Sequence, residues 1–320
     1  MPCSHRTTPA VTRYAPAMHS ARSSIAVRSV ISLCAVIISA GALPAHVSAQ
    51  PPSFVSTACG EALTKPELAR IIELSDLSTL PDTPSLERLE DEVARHAEIT
   101  AVLVRHHDRR GLFSLGLDAV EHSAVMPLQR DPTAFADRRW APAISSDLLR
   151  RYLRNLHAEF TGTAVEPQWE RYFSLSKQCS LSPARVAMVG YNAHITIDLA
   201  RAVASSGTAA DDIPDYYEIV DSIARDGDTI VSRTKEIYGA DLGPLWRFYF
   251  VGEGLDRLAG SDVPSDLLLR AADSGYNTVT LANGFALQSP NSAPVAEAEM
   301  AALAQATDAA LEVLSDFGGL

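Results

Sequence analysis

The sequence predicts an all-α protein, and three observations carry that prediction. Apolar residues recur at three- and four-residue spacing through most of the chain. Helix-start signatures punctuate it at regular distances, and no stretch shows sustained two-residue alternation, a paired-strand turn or a fixed repeat. About nine helices are expected, in one domain over residues 63–320, because no linker is long or biased enough to mark a boundary.

The first helix begins at Thr64-Lys65-Pro66-Glu67, where threonine can cap and glutamate can answer it three residues on, and runs to about Leu74. Thr83-Pro84 starts a second, whose stripe is Leu86, Leu89, Val93, Ala97, Ala101 and Val104 and which stops near His107. Gly111 to Val125 is a third helical run, and an Arg/Pro-rich loop separates it from a fourth opened by Ser145-Ser146-Asp147. Ser182-Pro183 starts a helix that reaches Ser205 before Gly207 ends it. Starts at Asp212-Ile213-Pro214, Gly243-Pro244 and Val263-Pro264 divide the remainder, and the alanine-rich run Val295 to Leu314 is the last helix.

The N-terminus has a different character. Residues 1–49 hold Arg6, Arg13, Arg22 and Arg28, no acidic residue, and the apolar run Ser29 to Leu43, with small residues at Val47-Ser48-Ala49. This reads as a cleaved signal peptide, with Met1 or Met18 as the start, followed by a flexible lead-in over residues 50–62. Secretion or transfer to a periplasm is the expected localisation. The apolar run is shorter than the ~20 residues a bilayer span needs, so no stable membrane anchor is expected.

Cleavage after Ala49 would remove four of the 27 cations and none of the 39 acids, leaving 23 against 39, a net charge of −16. A surface so acidic repels nucleic acid; a small-molecule ligand or substrate is a candidate partner, and the sequence indicates nothing about protein partners. Only Cys59 and Cys179 remain after cleavage, and two cysteines in an exported chain read as a disulfide.

The helix over 183–205 is apolar on opposite faces and therefore buried, yet it carries Asn192, His194 and Asp198. Projected at 100° per residue, His194 and Asp198 fall together with Tyr191 beside them, and Asn192 lies on the other flank with Thr196. One reading is a structural hydrogen-bond network. Another is a site: His194 and Asp198 as catalytic groups with Asn192 orienting a substrate, or His194, Asp198, Asp118 and His122 as four ligands of a divalent metal such as zinc, with Glu121 or Asp215 as base. Arg109 and Arg110, in the polar run His106 to Arg110, are candidates to clamp an anionic group. The expected function is accordingly a hydrolase with a polar pocket at this helix, metal-dependent if the four ligands converge. The alternative is a non-catalytic or small-ligand-binding protein whose motif is a buried network.

Gly190-Tyr191-Asn192-Ala193-His194-Ile195-Thr196-Ile197-Asp198-Leu199 resembles the G-M-N-A-H-I-N-x-D-L helix of a bacterial family of unknown function, number 5995. Arg110 to Phe113, Arg151-Tyr152-Leu153, Trp169 with Phe173, and Asp215-Tyr216 with Ile219 are similar to further family segments in the same order. Thr196 and Val220 stand where that pattern has asparagine, and Leu117 and Glu121 where it tends to tyrosine and threonine. The resemblance implies a helical fold with a polar centre on this helix, and no particular reaction.

Overall fold

The computed structural model describes residues 57–80, 83–243 and 263–316. The expected signal peptide, most of the expected lead-in and the helix start expected at Gly243-Pro244 therefore lie outside the described residues. Contacts divide the chain into Met1–Pro51 and Pro52–Leu320, and everything described belongs to the second unit.

Among the described residues every regular element is a helix, as the periodicity requires. In chain order the α-helices are α1 (Lys65–Ser75), α2 (Leu86–Arg105), α3 (Gly111–Val120), α4 (Met126–Arg130), α5 (Trp140–Thr161) and α6 (Pro167–Ser176). They continue as α7 (Pro183–Asn192), α8 (Leu199–Ser205), α9 (Ile213–Arg225), α10 (Gly227–Tyr238), α11 (Val263–Leu287) and α12 (Ala293–Asp316). Two pairs are continuous: a π-helical turn, Glu121–Val125, joins α3 to α4, and a second, Ala193–Asp198, joins α7 to α8.

Local chemistry sets the starts. Thr64 and Glu67 form the expected capping box at α1, and the Ser182 hydroxyl accepts from the Arg185 amide with Pro183 in the first turn of α7. The second start lies a residue or two later than Thr83-Pro84, with Ser85 as the cap accepting from the Arg88 amide. The fourth expectation is corrected more substantially. α5 begins at Trp140, so Ser145 to Asp147 lie inside it, and the Asp137 carboxylate accepts from the amides of Arg139 and Trp140 at that end. The indole of Trp140, fully packed, outweighs the weaker signal of two serines mid-helix.

α3 and α7 are the central helices. α3 packs on α2 and α10, and α7 on α3, α6 and α12, while α8 lies against α5 and α11. The approach of α3 and α7 depends on glycine. A Cβ on Gly190 would sit 2.7 Å from the Phe113 Cβ, and one on Gly116 would overlap the Tyr191 hydroxyl. Phe113 is surrounded by the rings of Tyr152, Trp169, Tyr191 and His194 at centroid distances of 4.9 to 5.3 Å, mostly edge to face.

Cys59 and Cys179 are disulfide-bonded, as expected of the two cysteines beyond residue 49. The bond ties the start of the described chain to the loop between α6 and α7. Backbone pairing of Glu61 with His106 and of Arg109 with Ala58 fixes the same corner.

Candidate functional site

Beside the second π turn lies a cavity of about 440 Å³, walled by α3, α5, α7, α9 and α11. Its surface is almost entirely apolar: Leu117, Leu148, Met188, Ile195, Val220 and Ile223 are representative. Among the described residues, none that lines it carries a side chain charged at neutral pH. This is the size and character of a small-molecule site.

His194 is one of several polar residues in that wall. It is 8 % exposed, its ring rests against Phe113 at 4.9 Å, and its Nδ1 is buried with no hydrogen-bond partner among the described residues. Burial, and then the neighbouring His96, push its pKa down from 6.5 to about 3, so the imidazole is neutral. A neutral ring with an unused nitrogen can donate or accept one hydrogen bond but cannot pair with an anion as a cation would.

The other motif residues do different work. Asp198 is completely buried, and its two carboxylate oxygens accept from the Trp169 indole N–H at 2.7 Å and the Gln168 amide at 3.1 Å. Burial pushes its pKa up to about 7, against the lowering effect of the Trp169 bond. Asn192 lines the cavity, but its amide is committed: Nδ2 donates to the Ala304 carbonyl at 2.9 Å, and Oδ1 accepts from the Thr196 hydroxyl at 2.8 Å. Thr196 also meets the Tyr276 hydroxyl of α11. Tyr191 lines the cavity as well, with its hydroxyl over Gly116.

His194 and Asp198, adjacent in α-helical projection, thus face different neighbours. The intervening residues are π-helical, and a wider turn changes the angle between positions i and i+4, so a projection at 100° per residue no longer holds there.

Asp118 and His122 also stand apart from them. His122 is largely exposed and makes a local contact with Asp118, Nδ1 to Oδ1 3.2 Å. The four-ligand set His194, Asp198, Asp118 and His122 is therefore not assembled: the Asp198 oxygens are held by Trp169 and Gln168, and the metal-type cluster containing Asp118 is completed by His96 and Glu121 instead. Asp215, the other candidate base, accepts from the amides of Ala136 and Asp137 and braces the loop before α5.

Arg109 and Arg110 are braces too, and neither lines the cavity. Arg110 is 1 % exposed, with Nε and Nη2 bound to the Asp108 carboxylate, Nη1 to Glu159 at 3.4 Å, and its guanidinium over the Phe160 ring at 4.2 Å. Arg109 donates to the carbonyls of Gln178 and Leu181, beside the disulfide. With its donors turned inward, Arg110 is not available to clamp a solvent-borne anion, while Arg109 is half-buried with Nη1 committed to those two carbonyls.

The residues that the motif did not reveal lie behind Phe113. His96 Nδ1 is 2.6 Å from Glu121 Oε2, His96 Nε2 is 2.8 Å from the Ser114 hydroxyl, and Ser114 is 2.6 Å from the Thr100 hydroxyl. The order of carboxylate, imidazole and hydroxyl is that of a nucleophilic triad. Ser114 is nevertheless fully buried and does not line the cavity, so a substrate carbonyl cannot approach it. A signal for this set existed: Glu92, His96 and Thr100 recur at four-residue spacing on α2, and all three are buried, whereas Ala101 of the expected stripe is exposed.

With this geometry in view, the comparison with known families is specific. The family model described as "Family of unknown function (DUF5995)" matches residues 89–260, more than half of the chain. The chain belongs to DUF5995. The matched span runs from α2 through α10 and so contains both π turns, the network around His96 and most of the cavity wall of this DUF5995 protein. No curated protein and no solved structure matches the chain. Among the described residues no helix is long and apolar enough to cross a membrane.

Proposed function

We propose that this DUF5995 protein is exported and binds a small, mainly apolar, uncharged molecule in the cavity, with His194 as its polar anchor. The observation that carries the reading is the pairing of an apolar cavity of about 440 Å³ with one buried imidazole nitrogen that lacks a partner. An unsatisfied buried polar atom costs about 1 to 3 kcal/mol, and a turn of the imidazole that brings Nδ1 to the cavity would let a ligand hydroxyl or carbonyl recover that cost. The absence of charged side chains from the described lining argues for an uncharged ligand, since nothing there would offset the desolvation of an anion. The hydrolytic reading is less well supported, because the acid, base and hydroxyl of the triad-like set are sealed from the cavity. Export is supported by the arginine-led apolar segment at the N-terminus and by the disulfide.

The test is titration of the purified protein with an environment-sensitive naphthylamine dye, alongside mass spectrometry of an organic extract of protein made in its exporting host. Saturable binding of one dye per chain is expected, and Leu148→Trp, which puts an indole into the cavity, should abolish it. Absence of saturable binding, or binding indifferent to Leu148→Trp, would overturn the reading.

A further inference from the structure

A second concentration of chemistry lies on the other side of α3, away from the cavity and unused by the reading above. His96, Asp118 and Glu121 each offer one ligand atom, and those atoms lie within 4.8 Å of one another. They come from α2, α3 and the first π turn, with Asp118 and Glu121 three residues apart on one helical face. His96 is fully buried and Glu121 nearly so, while Asp118 borders a surface cleft shared with Ala97, His122, Ser123 and Arg233.

Two features set this group apart from an ordinary buried ion pair. The Asp118 Oδ1 atom is buried and makes no hydrogen bond, because the adjacent His122 Nδ1 bonds the Asp118 main-chain carbonyl at 2.9 Å and only approaches the carboxylate at 3.2 Å. The imidazole has the support that metal-bound histidines have: with Nδ1 committed to an ion, Nε2–H would donate to Ser114, itself held by Thr100.

We propose that His96 Nδ1, Glu121 and Asp118 form a binding site for a divalent transition metal of the zinc type, entered from the cleft beside Asp118. Mixed nitrogen and oxygen donors are the set such ions prefer over calcium or magnesium. Ligand atoms on one zinc lie roughly 3 to 3.5 Å apart. Binding therefore requires the 2.6 Å contact of His96 with Glu121 to open slightly and the Asp118 side chain to close in by about an ångström, a rotamer-scale change at the edge of the cleft.

The test uses the full exported chain, freed of tag and stripped of metal with a chelator, and Zn²⁺ alone as titrant in calorimetry. Elemental analysis gives the stoichiometry, and Co²⁺ gives a visible spectrum that reports nitrogen-containing, low-coordinate geometry. One ion per chain is expected. Asp118→Asn, at the cleft edge where folding is least at risk, should weaken binding by about tenfold or more, and His96→Gln should remove the Co²⁺ bands. Circular dichroism and retained dye binding show that the variants are folded. Weakening in Asp118→Asn supports the site whether or not His122→Ala adds to it. No saturable zinc binding, or binding unchanged in Asp118→Asn and lost only in His122→Ala, overturns it.

Discussion

Replacing His194 by phenylalanine separates a residue kept for binding from one kept for stability. His194→Phe preserves the ring against Phe113, removes a buried nitrogen that has no partner among the described residues, and breaks no hydrogen bond recorded there. At pH 7 the variant should be more stable than the parent by about 1 to 2 kcal/mol, the cost of the unsatisfied atom. For a domain of this size that is roughly 2 to 8 °C in melting temperature. The pH dependence sharpens the expectation. His194 titrates at about 3 in the folded chain against 6.5 for the free side chain, so below pH 6.5 the unfolded state takes up a proton that the folded state refuses. The group's contribution is complete above pH 6.5 and falls as the pH drops toward 3, by about 2 kcal/mol between pH 7 and pH 5. His194→Phe should thus gain about 2 kcal/mol more over the parent at pH 5 than at pH 7. Urea denaturation at the two pH values measures both quantities, and dye titration in the same samples should show a drop in affinity for hydroxylated competitors and little change for hydrocarbons. A variant destabilised at pH 7, with the same pH dependence as the parent, would refute the reasoning and mean that His194 is satisfied in the fold.

Asp198 should behave in the opposite sense: its folded pKa of about 7 lies above the ordinary 3.8, so its stabilising contribution is present below pH 4 and lost as the pH rises through 7. Asp198→Asn should flatten that slope in denaturation profiles, and Asp198→Ala should cost about 2 to 4 kcal/mol by stranding the Trp169 indole N–H, with dye affinity unmoved if the protein stays folded. Gly190→Ala should lower the melting temperature by several degrees, because its Cβ meets the Phe113 Cβ, which cannot swing aside; a neutral effect would show that α3 and α7 can slide apart. Cys59→Ser with Cys179→Ser removes a cross-link spanning 120 residues and should destabilise by about 5 kcal/mol in the chain-entropy view, read as a shift in urea midpoint.

The wrong phase at α7 and the overlooked network on α2 have related causes. A projection assumes one angle per residue, and the π turns at Glu121 and Ala193 break that assumption at the very residues whose neighbours mattered. The stripe drawn through Ala97 and Ala101 favoured apolar residues, while the buried face of α2 carries Glu92, His96 and Thr100, whose burial is tolerable only because partners from α3, α5 and the first π turn meet them.

Local properties were therefore settled by the sequence: the helical class, the capping box at Thr64, the Ser182-Pro183 start and the buried, glycine-bearing central helix all follow from periodicity and short-range hydrogen bonding. The pairing of Cys59 with Cys179 followed from their being the two cysteines past the expected cleavage site. Tertiary structure alone decided what each polar side chain faces: His194 a cavity, Asp198 an indole, Arg109 and Arg110 internal carbonyls and carboxylates, and His96 a pair of acids. Spacing places a side chain on a face of its own helix, but the partner that satisfies it, or leaves it unsatisfied, comes from elements far away in the chain.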